Sequence, residues 1–234
     1  MLYIFALMSC LLSFSSDEEK SSFTIEKSNT EQAISIHTPL KSSAKILVFH
    51  NTEFAGHGSG NYVKYGKHKF MITAAHVVDN PLFKFILDGD ELVELEIVYI
   101  DAQRDVAIVV PKQELKTIKP IAFRTNNKSD LTGEVTYYAG YPQEINKAVF
   151  RGFVSLSTPN TILMQSVALP GSSGSMVFDF WGRAIGVVSA VKLGMFRTSP
   201  YPELVESLVF VERVDFIDKK LIKEIFENVG SEDP

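Results

Sequence analysis

From residue 44 onward, the chain alternates short apolar runs with polar turn residues. The apolar runs are rich in Val, Ile, Phe and Tyr, which predicts β-strands. The predicted strands are Ala44–His50, Tyr62–Tyr65, Lys69–Thr73, Leu92–Tyr99, Val106–Val110, Val135–Ala139, Ala148–Leu156, Met176–Phe178, Ala184–Ala190 and Leu208–Arg213. Gly66, Asp88-Gly89-Asp90 and Trp181-Gly182-Arg183 are typical of the turns between strands. Many short strands at this spacing indicate a β-sandwich or a pair of β-barrels.

The C-terminal segment changes period, because apolar residues recur there at intervals of three and four, which predicts a helix that packs on the strands. Asp215 is the expected cap near its start, and Gly230 the expected stop. The apolar stripe consists of Phe216 or Ile217, Leu221, Ile225 and Val229.

The N-terminus differs from the rest of the chain. Leu2 to Phe14 is almost entirely apolar, too short for a comfortable membrane span but suited to an export signal. Ser13-Phe14-Ser15 offers a small-x-small cleavage pattern, although the usual positive residues before the apolar run are missing. We therefore expect residues 1–16 to be a signal peptide or an anchor, so that the chain is secreted, periplasmic or membrane-anchored. Residues 17–40, rich in Ser, Thr, Glu and Lys, are expected to be a polar linker or arm.

The single cysteine, Cys10, lies inside the apolar N-terminal segment. Leu7-Met8-Ser9-Cys10 also resembles a bacterial lipoprotein box, so lipid attachment at this cysteine is an alternative to cleavage. No disulfide can form within residues 41–234, the predicted main domain, so its core must supply the stability.

Composition and charge exclude some functions. The chain has 234 residues, 45% of them hydrophobic and 22% charged, as in an ordinary globular protein. A net charge of −5 gives no basic surface for nucleic acid. His37, His50, His57 and His68 lack zinc-site spacing and are assigned to surface or turn positions, and no phosphate-binding glycine loop is present. We therefore expect neither a metal nor a cofactor.

The segment 169–175, Leu-Pro-Gly-Ser-Ser-Gly-Ser, is the strongest candidate for chemistry. A serine hydroxyl is a weak nucleophile that needs a neighbouring base, and the base needs an orienting carboxylate. Both occur upstream, with His76 in Thr73-Ala74-Ala75-His76-Val77 and Asp105 in Arg104-Asp105-Val106. The order His, Asp, Ser is that of chymotrypsin-type proteases and differs from that of α/β-hydrolases. The glycines around Ser173 allow a tight loop whose Gly171 and Ser173 N–H groups point at the developing oxyanion.

Residues 44–230 resemble a trypsin-like serine protease, and more specifically the protease domain of the HtrA/Deg group. The resemblance also rests on Gly58-Ser59-Gly60, Ala139-Gly140-Tyr141-Pro142, Gly152-Phe153-Val154-Ser155 and Phe210-Val211-Glu212-Arg213. It implies an all-β, chymotrypsin-like double β-barrel with a C-terminal helix. It also implies a serine endopeptidase that cleaves protein or peptide substrates through an acyl-enzyme, with His76 as base, Asp105 as orienting acid and Ser173 as nucleophile.

The resemblance further implies that Gly171 is an oxyanion donor and that Ser189 lies on the substrate-lining strand. Val167, six residues before the nucleophile, is implied to line the pocket for the substrate side chain preceding the cut. The family pattern has glycine and proline where Ser175 and Met176 stand here, which affects substrate geometry more than the triad. The sequence after Ser173 leaves no room for the peptide-binding domain typical of the HtrA group. The alternatives are a catalytically silent module that binds a peptide by strand addition, an esterase, and a self-processing protease.

Overall fold

The computed structural model describes residues 37–51, 53–143, 145–195 and 202–228. The predicted signal or anchor in residues 1–16, Cys10 within it, and residues 17–36 of the predicted arm lie outside these ranges. Residues 37–40 were also predicted to belong to the arm, but they form a helix with residues 41 and 42, here called α1. Within this helix Pro39 is buried, and the Ser42 hydroxyl donates to the Thr38 carbonyl. Residues 37–40 are therefore packed in a helix and do not form a loose linker.

The first half of the described chain forms a closed barrel of antiparallel strands in the order β1-β4-β5-β6-β3-β2, closed by the pairing of β1 with β2. A short strand, β7, adds to β2 in parallel. The strands are β1 (Ser43–His50), β2 (Glu53–Tyr65), β3 (His68–Thr73), β4 (Phe83–Asp88), β5 (Glu91–Asp101), β6 (Val106–Pro111) and β7 (Ile121–Ala122), and a one-turn helix α2 (Ala75–Val78) follows β3.

The second half forms another closed barrel, in the order β10-β13-β12-β11-β8-β9. Its strands are β8 (Val135–Gly140), β9 (Ala148–Ser157), β10 (Thr161–Gln165), β11 (Met176–Asp179), β12 (Ala184–Met195) and β13 (Pro202–Arg213), and helix α3 (Lys219–Asn228) follows. The predicted all-β double barrel with a C-terminal helix is confirmed.

Three strands were not predicted, β4, β7 and β10, and β2 begins nine residues before its predicted start. The early part of β2 contains Gly56, Gly58 and Gly60, whose intrinsic strand propensity is low. This part pairs along its length with β1. Two of the glycines are closely packed, since a Cβ on Gly58 would lie 2.7 Å from the Val77 side chain and one on Gly60 would lie 2.9 Å from the Ile46 side chain. Tertiary packing therefore overrides local propensity here.

Helix α3 starts later than predicted. The carboxylate of Asp218, and not that of Asp215, caps it by accepting the Leu221 N–H at 2.8 Å. Asp215 instead pairs with Arg213, with 2.8 Å between the guanidinium and the carboxylate. Ile217 and Ile225 are buried against the first barrel as predicted, but Ile222 is buried there in place of Leu221, which is only partly buried. The predicted positions Val229 and Gly230 lie outside the described residues.

Each barrel has its own apolar core. The larger cluster fills the first barrel and includes Phe70, Met71 and Ile108 together with the buried face of α3. The smaller cluster fills the second barrel around Tyr138, Met164 and Val211. The active-site candidates lie on the segments between the two cores. None of the helices within the described ranges is both long and apolar enough to cross a membrane.

Asp88, at the end of β4, holds a loop of the first barrel in place. Its buried carboxylate accepts the N–H groups of Lys116, Thr117 and Ile118 and the Thr117 hydroxyl. Burial alone would raise the pKa of Asp88, but the bonds from Thr117, Lys116 and Ile118 outweigh it and hold the pKa below its ordinary value.

We expect Asp88→Asn to lower the free energy of unfolding by about 2 kcal/mol at neutral pH, because an amide cannot accept all of these donors. Since the folded pKa is depressed, the contribution is complete above the ordinary aspartate pKa and disappears as the pH falls through the folded pKa. The difference between variant and wild type should therefore shrink in acid. Urea unfolding across pH measures this, with Asp90→Asn, on the exposed neighbouring position, as the control.

Candidate active site

The sheet register of the first barrel brings His76 next to Asp105. β3 pairs antiparallel with β6, with Thr73 opposite Ala107, so the chain after β3 meets the chain before β6. His76 Nδ1 lies 2.8 Å from Asp105 Oδ2, and the His76 N–H donates to Asp105 Oδ1 at 2.9 Å. An ionised carboxylate can only accept, so Nδ1 carries the hydrogen and Nε2 is left with a free lone pair. About half of the His76 side chain is exposed, which leaves Nε2 accessible.

The second barrel contributes to the same carboxylate. The Ser189 hydroxyl, on β12, donates to Asp105 Oδ2. Burial alone would raise the pKa of Asp105, but the hydrogen bonds from His76 and Ser189 outweigh it and hold the pKa below its usual value. Asp105 has φ of 50°, an uncommon left-handed conformation for a residue other than glycine. Strained backbone of this kind persists where the surroundings fix it, and here three hydrogen bonds do so.

Ser59 of the first barrel fixes the loop that carries Ser173. The buried Ser59 hydroxyl donates to the Gly171 carbonyl at 2.7 Å and accepts the Tyr141 N–H at 2.9 Å. The Ser59 N–H donates to the Ser173 carbonyl at 2.8 Å. The Ser59 carbonyl accepts from the Thr73 hydroxyl at 2.7 Å. We call this set of bonds the Ser59 clamp.

Two N–H groups of the loop are left free to bind a ligand. Ser172 N–H donates to Leu169 O, and Gly174 N–H donates to Val188 O. The N–H groups of Gly171 and Ser173 donate to no other residue in the part of the chain that the structure describes. The carbonyls that share a peptide plane with these N–H groups are held, since Pro170 O accepts the Gln143 N–H at 2.6 Å and Ser172 O accepts the Ser175 N–H at 3.0 Å. Because the peptide unit is planar, both N–H groups have fixed directions. This is the arrangement that stabilises an oxyanion.

Two glycines of the loop have no room for a side chain. Gly171 has φ of 93°, and a Cβ there would lie 2.4 Å from both His57 Nε2 and Tyr141 O. Gly174 has φ of 89°, and a Cβ there would lie 2.0 Å from Ser59 O. Both positions therefore require glycine, for conformation and for space.

The Ser173 hydroxyl donates to the Ser189 carbonyl at 3.3 Å. Among the described residues it makes no hydrogen bond to His76. Ser189 thus connects both halves of the site, with its hydroxyl on Asp105 and its carbonyl on Ser173. Gly58 lies between α2 and the loop, since a Cβ there would be 2.7 Å from Val77 and 3.2 Å from Ser173 O. The structure therefore brings His76, Asp105, Ser173, Gly171 and Ser189 together.

Val167 lies in the segment between β10 and β11, and its side chain is 51% exposed. The Tyr138 hydroxyl donates to the Val167 carbonyl, which anchors the backbone while the side chain faces outward. Its neighbours Ser166 and Ala168 are buried. The side chain is thus accessible to a ligand, and its role in substrate binding remains a proposal.

His57 is a site residue that the sequence analysis did not find. It is half-buried on β2, and its Nε2 lies 2.9 Å from Tyr141 O. A carbonyl can only accept, so Nε2 carries the hydrogen. The ring packs against Gly171, beside the candidate oxyanion donors. Its assignment to a surface or turn position was therefore wrong, and its place directly before the Gly58-Ser59-Gly60 motif was the available signal.

The two departures from the family pattern have different consequences. Met176 opens β11, and its N–H donates to Asn61 Oδ1 at 2.8 Å, a bond that proline could not make. The Ser175 hydroxyl is buried and has no hydrogen-bond partner among the described residues. It lies against Gly140, where a Cβ would be only 2.2 Å from the Ser175 hydroxyl oxygen.

Within the described ranges, His, Cys, Asp and Glu side chains form no group of three or more that could hold a metal ion.

This architecture occurs in a solved serine protease. The crystal structure of the serine endoprotease from Yersinia pestis superposes with a TM-score of 0.65 and 17% sequence identity, covering 84% of this chain and 66% of that one. The likeness concerns the fold, which it confirms as chymotrypsin-like.

A family model described as trypsin-like peptidase domain matches residues 58–187, more than half of the chain. The chain therefore belongs to the trypsin-like peptidase family. It is also similar to proteins from two strains of Staphylococcus epidermidis named serine protease HtrA-like, with 26% identity over 228 residues. The alignment covers 89% of this chain, which spans 37% of the length of those relatives. The predicted resemblance to trypsin-like proteases and to the HtrA group is confirmed.

Replacing either of two buried serines by alanine should change the free energy of unfolding, in opposite directions for the two positions. Ser175→Ala removes a hydroxyl without a partner and should raise the free energy of unfolding by about 1 kcal/mol. Ser59→Ala leaves Gly171 O and Tyr141 N–H unpaired and should lower it by about 2 kcal/mol. Chemical denaturation of both variants beside the wild type measures the pair. A loss of stability in Ser175→Ala as large as that in Ser59→Ala would contradict this account.

Proposed function

We propose that this protein is a serine endopeptidase that hydrolyses peptide bonds through an acyl-enzyme intermediate. The observation that carries the proposal is the Ser189 bridge, which links the His76–Asp105 pair to the Ser173 hydroxyl across the two barrels. Membership of the trypsin-like peptidase family supports it. The Staphylococcus relatives named serine protease HtrA-like point to the same reaction.

In the proposed reaction, His76 acts as the base. With Nδ1 held by Asp105, Nε2 is available to take the hydroxyl proton of Ser173. Substrate binding is proposed to turn the Ser173 hydroxyl from the Ser189 carbonyl toward Nε2. Catalytic hydrogen bonds often form only in the complex, so the long bond to Ser189 does not oppose this step.

The Ser173 oxygen then attacks the substrate carbonyl carbon, and the carbonyl electrons move to its oxygen. The N–H groups of Gly171 and Ser173 stabilise this oxyanion. As the C–N bond breaks, His76 returns the proton to the leaving amine. A water molecule next gives a proton to Nε2 and its oxygen to the acyl carbon. As the bond between that carbon and the Ser173 oxygen breaks, Nε2 returns the proton to the Ser173 oxygen, which releases the acid and restores the free serine.

The reaction needs no metal or organic cofactor, since the protein supplies the nucleophile, base and oxyanion donors itself. The proposed substrate is a protein or peptide. Export by residues 1–16, with secretion or membrane attachment, remains part of the proposal and rests on the apolar N-terminal sequence.

We expect Ser173→Ala and His76→Ala to abolish turnover of a peptide substrate while the fold is retained. Asp105→Asn should lower kcat by about 10⁴-fold, because an amide favours the wrong tautomer of His76. Peptide hydrolysis and labelling with a fluorophosphonate probe measure these effects. Ser155→Ala, His50→Ala and Asp90→Asn, at exposed positions, are the matched controls and should retain activity.

Two outcomes would overturn the proposal. Near-normal hydrolysis by Ser173→Ala would exclude Ser173 as the nucleophile. A folded wild-type protein that neither labels nor hydrolyses would favour the alternative, a silent module that binds peptides. The observation in favour of that alternative is the Ser173 hydroxyl bonded to Ser189 and not to His76.

The exposed Val167 side chain predicts a preference for apolar side chains before the cut. Without a carboxylate at this position, a substrate Lys or Arg would lose hydration without compensation. Each additional methylene should contribute about 1 kcal/mol to discrimination. Cleavage profiles from a peptide library test this, with Val167→Asp expected to shift cutting toward Lys and Arg. Dominant cutting after basic residues by the wild type would refute the role of Val167.

A further inference from the structure

A cavity of about 360 Å³ opens beside the candidate active site, between the two barrels and α1. Its wall contains Lys41 of α1, Lys45 of β1, Lys119 of the loop held by Asp88, and Lys147 of the segment before β9. Tyr141 and Leu40 also line it. We call this cavity the lysine pocket. Elements from distant parts of the sequence thus bring four cationic side chains to one opening.

The lysines of this pocket differ in their pairing from three other lysines of the first barrel. Lys69, Lys112 and Lys116 each form an ion pair with a glutamate on the same barrel. No lysine of the pocket forms an ion pair within the described ranges, although the chain as a whole carries a net charge of −5. Among the described residues, no Asp or Glu lines the pocket. The charge of Lys119 helps to lower the pKa of Glu114, but the Glu114 carboxylate is already paired with Lys69.

Lys147 is held across the pocket in a partly buried position. Its ammonium donates to the Leu40 carbonyl at 3.1 Å and lies 5.7 Å from the centre of the Tyr141 ring. Burial lowers the pKa of this lysine. A cation placed in such surroundings without a carboxylate has an unmet preference for an anion.

The lysine pocket is connected to the nucleophile loop through Tyr141. The Tyr141 N–H donates to Ser59, and its carbonyl meets His57 Nε2 beside Gly171. In the proposed reaction, the acyl part of the substrate lies along Ser189 and Val167 of the second barrel. The proposed path of the leaving segment runs past Ser173 on the side of Ser59 and His57, toward Tyr141 and the pocket.

We propose that the lysine pocket binds acidic side chains of the substrate segment that leaves after the cut. The inference rests on the proposed endopeptidase function and adds to it a class of substrate. An extended peptide advances about 3.3 Å per residue, so residues some way beyond the scissile bond can reach the pocket. Carboxylates are complementary to its four ammonium groups, and the cavity is large enough for a side chain with bridging water.

The proposal can be tested with pairs of internally quenched peptides that share a constant apolar sequence before the cut. The two peptides of a pair differ at one position after the cut, where one has Glu and the other has Gln. At the favoured position, the Glu peptide should have a kcat/KM about fivefold higher than its Gln partner, and the ratio should fall as salt is added. In Lys45→Gln/Lys147→Gln the ratio should fall to about one. The double variant Lys64→Gln/Lys67→Gln, which changes exposed lysines of the same barrel outside the pocket, should keep it.

Both double variants should react with a fluorophosphonate probe at the wild-type rate. They should also hydrolyse a short ester, which has no leaving peptide, at the wild-type rate. These two controls separate an effect on the pocket from an effect on the chemical step. Equal rates for Glu and Gln peptides at every position would overturn the proposal. So would a ratio that survives in Lys45→Gln/Lys147→Gln. If inorganic phosphate raises the Tm through these lysines while the Glu peptides gain nothing, the pocket binds a free anion and the substrate assignment is wrong.

A protein that hydrolyses no peptide would refute the proposed function but would still allow the pocket to be tested. Fluorescence anisotropy with Ser173→Ala and the labelled peptides then measures binding directly. Tighter binding of the Glu peptide, lost in Lys45→Gln/Lys147→Gln on the same background, would support the pocket as an acidic-peptide site. Equal binding of both peptides would exclude it.

Discussion

The docking of Ser59 into the loop of the second barrel is the interaction on which the site depends. All three polar groups of this buried residue are used: the hydroxyl on Gly171 and Tyr141, the N–H on Ser173, and the carbonyl on Thr73. The base and acid belong to one barrel and the nucleophile to the other, so their alignment requires a fixed relation between barrels. Buried polar groups are costly when unpaired, and this cost makes the Ser59 clamp specific for one arrangement.

The clamp also explains why glycine is needed around Ser173. With the carbonyls of Gly171 and Ser173 held by the first barrel, the chain has to turn with positive φ at Gly171 and Gly174. The space that a side chain would occupy is filled by His57, Tyr141 and Ser59. The N–H groups of Gly171 and Ser173 are left without acceptors among the described residues, at the expense of local stability. Asp105, with its left-handed backbone, follows the same pattern of local strain at the site.

The carboxylates and the lysines near the site differ in how well they are paired. Asp88 and Asp105 are carboxylates whose donors hold their pKa values below the ordinary range, so both stay ionised at neutral pH. One fixes a loop and the other orients His76. The lysines around Tyr141 have no comparable partners among the described residues, and burial raises the pKa of Tyr141 itself to about 12, so the ring stays neutral beside them. The surface next to the candidate oxyanion site is thus cationic on a protein of net negative charge.

The sequence alone determined the strand-rich architecture and predicted His76, Asp105 and Ser173 as a candidate set, because apolar runs and short motifs are local signals. It missed β4 and β10, and it placed the cap of α3 at Asp215, where a local rule could not distinguish that carboxylate from Asp218. Only the tertiary structure decided that Asp215 pairs with Arg213, that Ser175 is left without a partner, and that His57 lies beside Gly171. It also gathered Lys41, Lys45, Lys119 and Lys147 around one cavity. Except for Arg213 and Asp215, which are two residues apart, these arrangements involve residues far apart in the chain. The closure of the two barrels decides which of their polar groups are paired, buried or exposed.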